Sequence, residues 1–307
     1  MMKLCRLRSV FVPFFTISIT SLLISCGGSG SSNQMGSFSL SVTDAAIDDI
    51  AHVYIEFTGV TIKPAESDAI EFNFDTPEVI DILTLQGSGY QTIVEEELVP
   101  AGNYNWIRLH VNAEQDGVMD SYIETNIGTQ MELYIPSGSQ TGLKLVNGFT
   151  VLADGQVDFT VDFDLRKSIV WSPEASGQSV KFKPVLRLID NTSSGSVSGM
   201  IDSALVIEAC EDPANEAGAV YVYTGADVVA TDVSGAETDP LTSALVKFDG
   251  ENYYYEVGFL AAGDYTLAYT CDAANDDPEV VDALNFAVSV NATVEESTDT
   301  VVDFGAM

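Results

Sequence analysis

Val157-Asp158-Phe159-Thr160-Val161-Asp162-Phe163-Asp164 is the stretch that decides the fold class. Apolar and polar side chains alternate through it without a break. In an extended chain successive side chains point to opposite faces, so Val157, Phe159, Val161 and Phe163 turn toward a core and Asp158, Thr160, Asp162 and Asp164 point out toward water.

The same period recurs in both directions from this segment. Phe38, Leu40 and Val42 alternate with serines, and so do Val53, Ile55 and Phe57 with Tyr54, Glu56 and Thr58, and Ile107, Leu109 and Val111 with Arg108 and His110. Later come Val220 and Val222, then Tyr265, Leu267 and Tyr269, then Leu284, Phe286, Val288 and Val290. Asp116-Gly117, Asn147-Gly148, Asp154-Gly155 and Asp249-Gly250 mark turns between such runs. Leu98-Val99-Pro100-Ala101-Gly102-Asn103-Tyr104 is echoed by Leu260-Ala261-Ala262-Gly263-Asp264-Tyr265, a turn that resembles those of transthyretin-like sandwiches, with Tyr packing back on the sheet. Long amphipathic helices are absent from the pattern. The expected fold is all-β: two β-sandwich domains (Ig-like or transthyretin-like) in tandem, residues 37–190 and 197–307, joined by a Ser/Gly-rich linker at 191–196.

Residues 1–25 read as a signal peptide: Lys3, Arg6 and Arg8, then an apolar run from Val10 to Leu23. That run is shorter than the roughly 20 residues a membrane-spanning helix needs. Leu23-Ile24-Ser25-Cys26 resembles the lipobox of bacterial lipoproteins, which implies cleavage before Cys26 and lipid on its sulfur. Several acyl chains hold firmly, because each buried CH₂ contributes about 0.8 kcal/mol. Gly27, where an aspartate commonly retains such proteins at the inner membrane, implies the outer membrane; residues 26–36, Gly- and Ser-rich, form a flexible tether.

Cleavage leaves nine Lys and Arg against 46 Asp and Glu, a formal charge of -37. Such a body repels phosphate backbones, and no nucleic-acid partner is expected. Cys210 and Cys271 then remain as a pair in an oxidising compartment and are expected to form a disulfide. Asp272, Asn275, Asp276 and Asp277, in the loop after Cys271, are candidate calcium ligands, because hard cations take oxygen donors from one or two loops. Asp44, Asp48 and Asp49 form a second acidic cluster.

Six segments carry a family resemblance: Ser41-Val42-Thr43-Asp44-Ala45-Ala46, Val53-Tyr54-Ile55-Glu56-Phe57, the turn at 98–104, Ile135-Pro136-Ser137-Gly138-Ser139-Gln140-Thr141-Gly142-Leu143-Lys144-Leu145, Asp162-Phe163-Asp164-Leu165-Arg166-Lys167-Ser168-Ile169 and Lys181-Phe182-Lys183-Pro184-Val185. In this order they resemble the domain of unknown function 4382 family of bacterial lipoproteins, over roughly residues 37–190. The family has no established catalytic residues to carry over. Ser137, Ser139 and Gln140 lie in a polar loop able to meet a sugar or an anion. Arg166, Lys167, Lys181 and Lys183 are expected to pair with Asp162, Asp164 or their neighbours, or to hold a sulfate or acidic glycan.

No nucleophile elbow, phosphate loop or dinucleotide fingerprint occurs, and His52 and His110 lack the spacing of a zinc or nucleophile-activating site. The expectation is no enzyme and no catalytic residue. A structural or interaction module at the outer membrane, meeting an envelope protein or a glycan, is the leading reading. A carbohydrate-binding module with Trp171, Trp106 or the Tyr253-Tyr254-Tyr255 run as stacking surfaces is the alternative, with calcium as its possible cofactor.

Overall fold

The computed structural model describes residues 34–305 apart from 46, 49, 137–141, 172–178 and 215. The first part of the chain carries β1 (Met35–Ala45), β2 (Ile50–Pro64), β3 (Ile70–Asp81), β4 (Gln91–Pro100), β5 (Gly102–Asn112), β6 (Tyr122–Thr125), β7 (Gln130–Tyr134), β8 (Leu143–Leu145), β9 (Phe149–Val151) and β10 (Gln156–Asp164). A helical turn α1 (Leu165–Ser168) leads to β11 (Ile169–Val170), β12 (Ser179–Phe182) and β13 (Leu186–Asp190). The second part carries β14 (Ser194–Ile201), α2 (Ser203–Ala209), β15 (Ala219–Thr224), β16 (Thr242–Leu245), β17 (Lys247–Phe248), β18 (Tyr253–Ala261), β19 (Gly263–Thr270), β20 (Phe286–Val294) and β21 (Asp299–Val301). The fold is all-β, and no helix among the described residues is long and apolar enough to cross a membrane.

Each half is two sheets face to face. In the first, the order β13-β10-β1-β4 opposes a sheet that runs β11-β12-β7-β6-β2-β5-β8, with β3 beside β2 and β9 beside β5. Strand β10 lies parallel to β1, with Leu40 opposite Phe159 and Val42 opposite Val161. The alternation read from sequence thus faces Phe38, Leu40, Val42, Val161 and Phe163 inward, all fully buried, onto Val53, Ile55, Phe57, Ile107 and Leu109. In the second half β17-β18-β14-β21 opposes β16-β15-β19-β20 around Val197, Val222, Tyr255, Leu267, Tyr269 and Phe304. Cys210 and Cys271 are bonded, with Cα atoms 5.3 Å apart across 61 residues. A loop of that length corresponds to roughly 4 kcal/mol on the chain-entropy account. The two turn echoes close alike: Tyr104 donates to the Pro100 carbonyl and Tyr265 to the Ala261 carbonyl, each at 2.7 Å.

Residues 191–196, expected as a linker, are ordered differently. Asn191–Ser193 is a 3₁₀ turn capped by Asp190, whose carboxylate accepts from the Thr192 N–H at 2.9 Å, and β14 begins at Ser194. The chain steps from β13 into β14 with no slack, and the described residues belong to one compact unit, Gln34–Met307.

That close coupling corrects a reading of β10. Thr160, Asp162 and Asp164 do point away from the core, but they are at most 2% exposed. Their face lies against β16 and β18 of the second half, not against water. Buried carboxylates need partners. Arg187 donates to Asp162 through Nε at 2.9 Å and Nη2 at 2.5 Å, and Lys167 meets Asp164 at 2.9 Å. Lys167 also donates to the Pro240 and Leu241 carbonyls, and Lys183 pairs with Glu279. The approach is close: a Cβ at Gly258 would come within 2.3 Å of the Gly87 carbonyl oxygen.

Arg166 reaches furthest across. Its side chain, 3% exposed, pairs with Asp48 at 2.7 Å, donates through Nε to Ser243 Oγ at 3.1 Å and through Nη1 to the Ala273 carbonyl at 2.7 Å. Its guanidinium lies 5.4 Å from the centroid of the Tyr221 ring, a cation–π contact. Arg166→Ala leaves Asp48 and two acceptors on the second half without their cation, so the unfolding free energy measured in urea should fall by about 3–5 kcal/mol. Arg166→Lys should recover little of it, because one ammonium cannot reproduce the planar fork.

Asp44 continues the inward row of β1, is 5% exposed, and has no hydrogen-bond partner on either carboxylate oxygen among the described residues. Burial first, then the Asp162, Asp164 and Asp81 carboxylates, hold its pKa well above the ordinary value, against the opposing pull of Arg166. The folded state keeps a proton that the unfolded chain releases near pH 4, so this group weakens folding progressively as pH rises from there toward its raised folded pKa. Asp44→Asn removes that penalty. Its urea stability should equal that of the parent near pH 4 and exceed it increasingly toward pH 8.

Candidate functional site

The seam between the halves opens at one end into a cleft of about 180 Å³. The first half supplies Ile47, Asp48, Arg166, Ile169 and Trp171, and the second supplies residues 273–278. Local sequence explains the placement. Asp164 caps α1, its carboxylate accepting from the Lys167 N–H at 3.2 Å, and the turn aims Arg166 across the seam. Strand β11 then carries the chain out to Trp171, which is 50% exposed at the rim. On the other side the disulfide and the 3₁₀ turn Asp272–Asn275 fix the opposing wall.

The four acidic-loop candidates part company here. Asp272 accepts from the Asn285 N–H at 2.7 Å, and Asp277 from the Glu279 N–H at 2.9 Å, both as loop-closing caps. Asn275 is exposed. Asp276 alone turns inward, accepting from the Tyr221 hydroxyl at 2.5 Å and from the Val233 N–H at 3.1 Å. Burial pushes its pKa up to about 6, even with the Tyr221 hydrogen bond and the Arg166 charge pulling it down. Its neighbours are Asp232 and Asp282, and one oxygen from each of the three carboxylates lies within 4.8 Å of the others. Asp232 accepts from the Asp282 N–H at 2.5 Å, which ties the two loops together. Three converging carboxylates are the hard-oxygen donor set that calcium takes. Asp232 and Asp282 carry no local sequence signal; only the pairing of β15 with both β16 and β19 brings their loops together.

Cys26 and the loop candidates Ser137, Ser139 and Gln140 lie outside the described residues, as does Asp49. Arg166 and Lys167 are fully engaged at the seam, which leaves them no open face for a sulfate. Lys183 serves Glu279. His52 is paired through Nδ1 with Asp81 at 2.6 Å on β2, and His110 Nε2 meets the Thr61 hydroxyl at 2.6 Å on β5, both away from the cleft. Tyr253 and Tyr255 are buried and Tyr254 is 38% exposed, as alternation along a strand requires.

Among curated proteins no sequence matches this chain. Among solved structures it is similar to the Bacillus anthracis TIE protein, at 11% identity and a TM-score of 0.19, over 88% of this chain and 33% of that one. It spans about a third of the length of that protein. It is also similar to GBS52, the minor pilin of Streptococcus agalactiae, at 12% identity and a TM-score of 0.21 over 87% and 94% of the two chains. The major pilin of Streptococcus pyogenes gives 13% identity and a TM-score of 0.17 over 87% and 96%. Residues 35–184 match the family model described as Domain of unknown function (DUF4382). Strands β1 to β12, with the α1 turn that carries Arg166, therefore make up an N-terminal DUF4382-like domain.

Proposed function

We propose that this chain is a non-enzymatic interaction module, tethered to the outer membrane through lipid on Cys26, that presents the cleft at its seam to a glycan. The observation that carries the reading is the half-exposed Trp171 at the rim of a cleft walled by Asp48, Asn275, Asp276 and Asp277. A sugar ring offers an apolar face of C–H groups and a border of hydroxyls. The flat indole suits the first, and carboxylate and amide oxygens accept from the second. At about 180 Å³ the cleft is smaller than the roughly 300–1,000 Å³ of drug-sized sites, and it suits a single ring of a longer chain. The non-enzymatic reading is supported by the cleft's own groups: its arginine is tied down on both halves, and the two histidines stand elsewhere. The tether rests on the Leu23-Ile24-Ser25-Cys26 motif and the Gly/Ser-rich residues after it. A calcium-dependent form of the same reading draws on the converging Asp232, Asp276 and Asp282.

Pull-down of the full-length protein in detergent on cellulose, chitin and peptidoglycan tests the glycan reading. Retention on one matrix should fall about tenfold or more in Trp171→Ala, and a chelator should weaken it further if the three carboxylates hold calcium. Retention on none of the matrices overturns it. The tether is tested separately: growth with a fatty-acid analogue should label the protein and leave Cys26→Ala unlabelled, and label persisting in that variant sinks the anchor.

A further inference from the structure

Away from the cleft, the outer face of the larger sheet of the first half gathers charge of the rarer sign. Nine Lys and Arg lie beyond residue 25, and three of them, Lys63, Arg108 and Lys144, stand on adjoining strands around Trp106. The register places Lys63 on β2 opposite Trp106 on β5, and Arg108 on β5 opposite Lys144 on β8. The Arg108 guanidinium carbon and the Lys144 Nζ each lie 4.8 Å from the centroid of the Trp106 ring. None of the three cations forms an ion pair with a described carboxylate, in a chain that has 46 Asp and Glu to offer.

The arrangement is fixed from beneath. Gly142, at φ +63°, lies so close over Arg108 that a Cβ there would come within 2.9 Å of its Cγ and Cδ, and Arg108 Nε is shut from solvent with no hydrogen-bond partner among the described residues. His110, next on the same face of β5, has its pKa lowered by burial and by the Arg108 charge, with Glu71 pulling the other way. The patch thus owes its charge to Lys63, Arg108 and Lys144 over the neutral range. Carboxylates elsewhere on the body reach it weakly, because the screening length at physiological salt is about 8 Å.

We propose that this face binds an anionic polysaccharide, with acidic groups of successive sugars on Arg108 and Lys144 and a ring against Trp106. Charge complementarity selects the ligand: the cations are spaced along neighbouring strands, and the aromatic between them adds a surface that a simple anion would not use. The site is separate from the Trp171 cleft and stands or falls apart from it.

Affinity electrophoresis of the full-length protein in detergent, through gels that hold polygalacturonate, dextran sulfate, polyglutamate or neutral dextran, tests the proposal. Retention by polygalacturonate or dextran sulfate is expected, which separates carboxylated from sulfated sugars, with none by neutral dextran. Lys144→Glu, an exposed substitution, should weaken retention at least tenfold at an unchanged melting temperature, and so should Trp106→Phe by a smaller factor, whereas Trp171→Ala should leave it unaltered. No retention by either acidic glycan, equal retention by polyglutamate, or a Lys144→Glu protein that binds like the parent overturns it.

Discussion

Arg166 carries five N–H donors into a space that is 3% exposed, and its three nitrogens each meet an acceptor or a carboxylate, on both sides of the seam. A cation taken out of water is costly unless acceptors surround it, and in this chain Asp48 lies on one half while Ser243 and Ala273 lie on the other. Neither half supplies the full set. The path of α1, the exit of β11 toward Trp171 and the wall formed by residues 273–278 all depend on where that guanidinium is held. The DUF4382-like domain thus commits part of its Asp162-to-Ile169 segment to contacts with the C-terminal half of the chain.

The seam also accounts for how the few basic residues are spent. Arg166, Lys167, Lys183 and Arg187 neutralise carboxylates there, two of which, Asp162 and Asp164, are buried almost completely. An acidic sheet face can close on a neighbour only where such partners arrive with good geometry, since an unpaired buried charge is worse than an exposed one. Asp44 is the exception on the inner side of the same sheet, and keeping its proton is how it tolerates the site.

Strands, sandwich cores and the Cys210–Cys271 bond were legible from sequence, because period-two patterning and an isolated cysteine pair each have one simple structural solution. The fate of the polar face of β10 was not. Alternation tells which side chains share a face and says nothing about what lies against it, so Asp162 and Asp164 read the same whether they meet water or a lysine. The acidic loop shows the same limit on a smaller scale. Asp276 stood out among its neighbours only as one more carboxylate, and its companions Asp232 and Asp282 come from elsewhere, joined by strand order and not by spacing. Residues 191–196 look loose in composition because Ser and Gly also suit a sharp entry into a strand with close neighbours, where Gly195 has the Glu295 carbonyl 2.3 Å from where a Cβ would sit.

The position of β1 decides how the sheet would answer a pull along that strand. The first described strand is a central one, flanked by β10 on one side and β4 on the other. A pull along that strand must slide it past both neighbours, and the rungs from Ser37 to Ala45 resist together in shear; an edge strand in a hairpin would peel open one rung at a time. Rupture under such a load is set by the rate of crossing a barrier and not by the depth of the well.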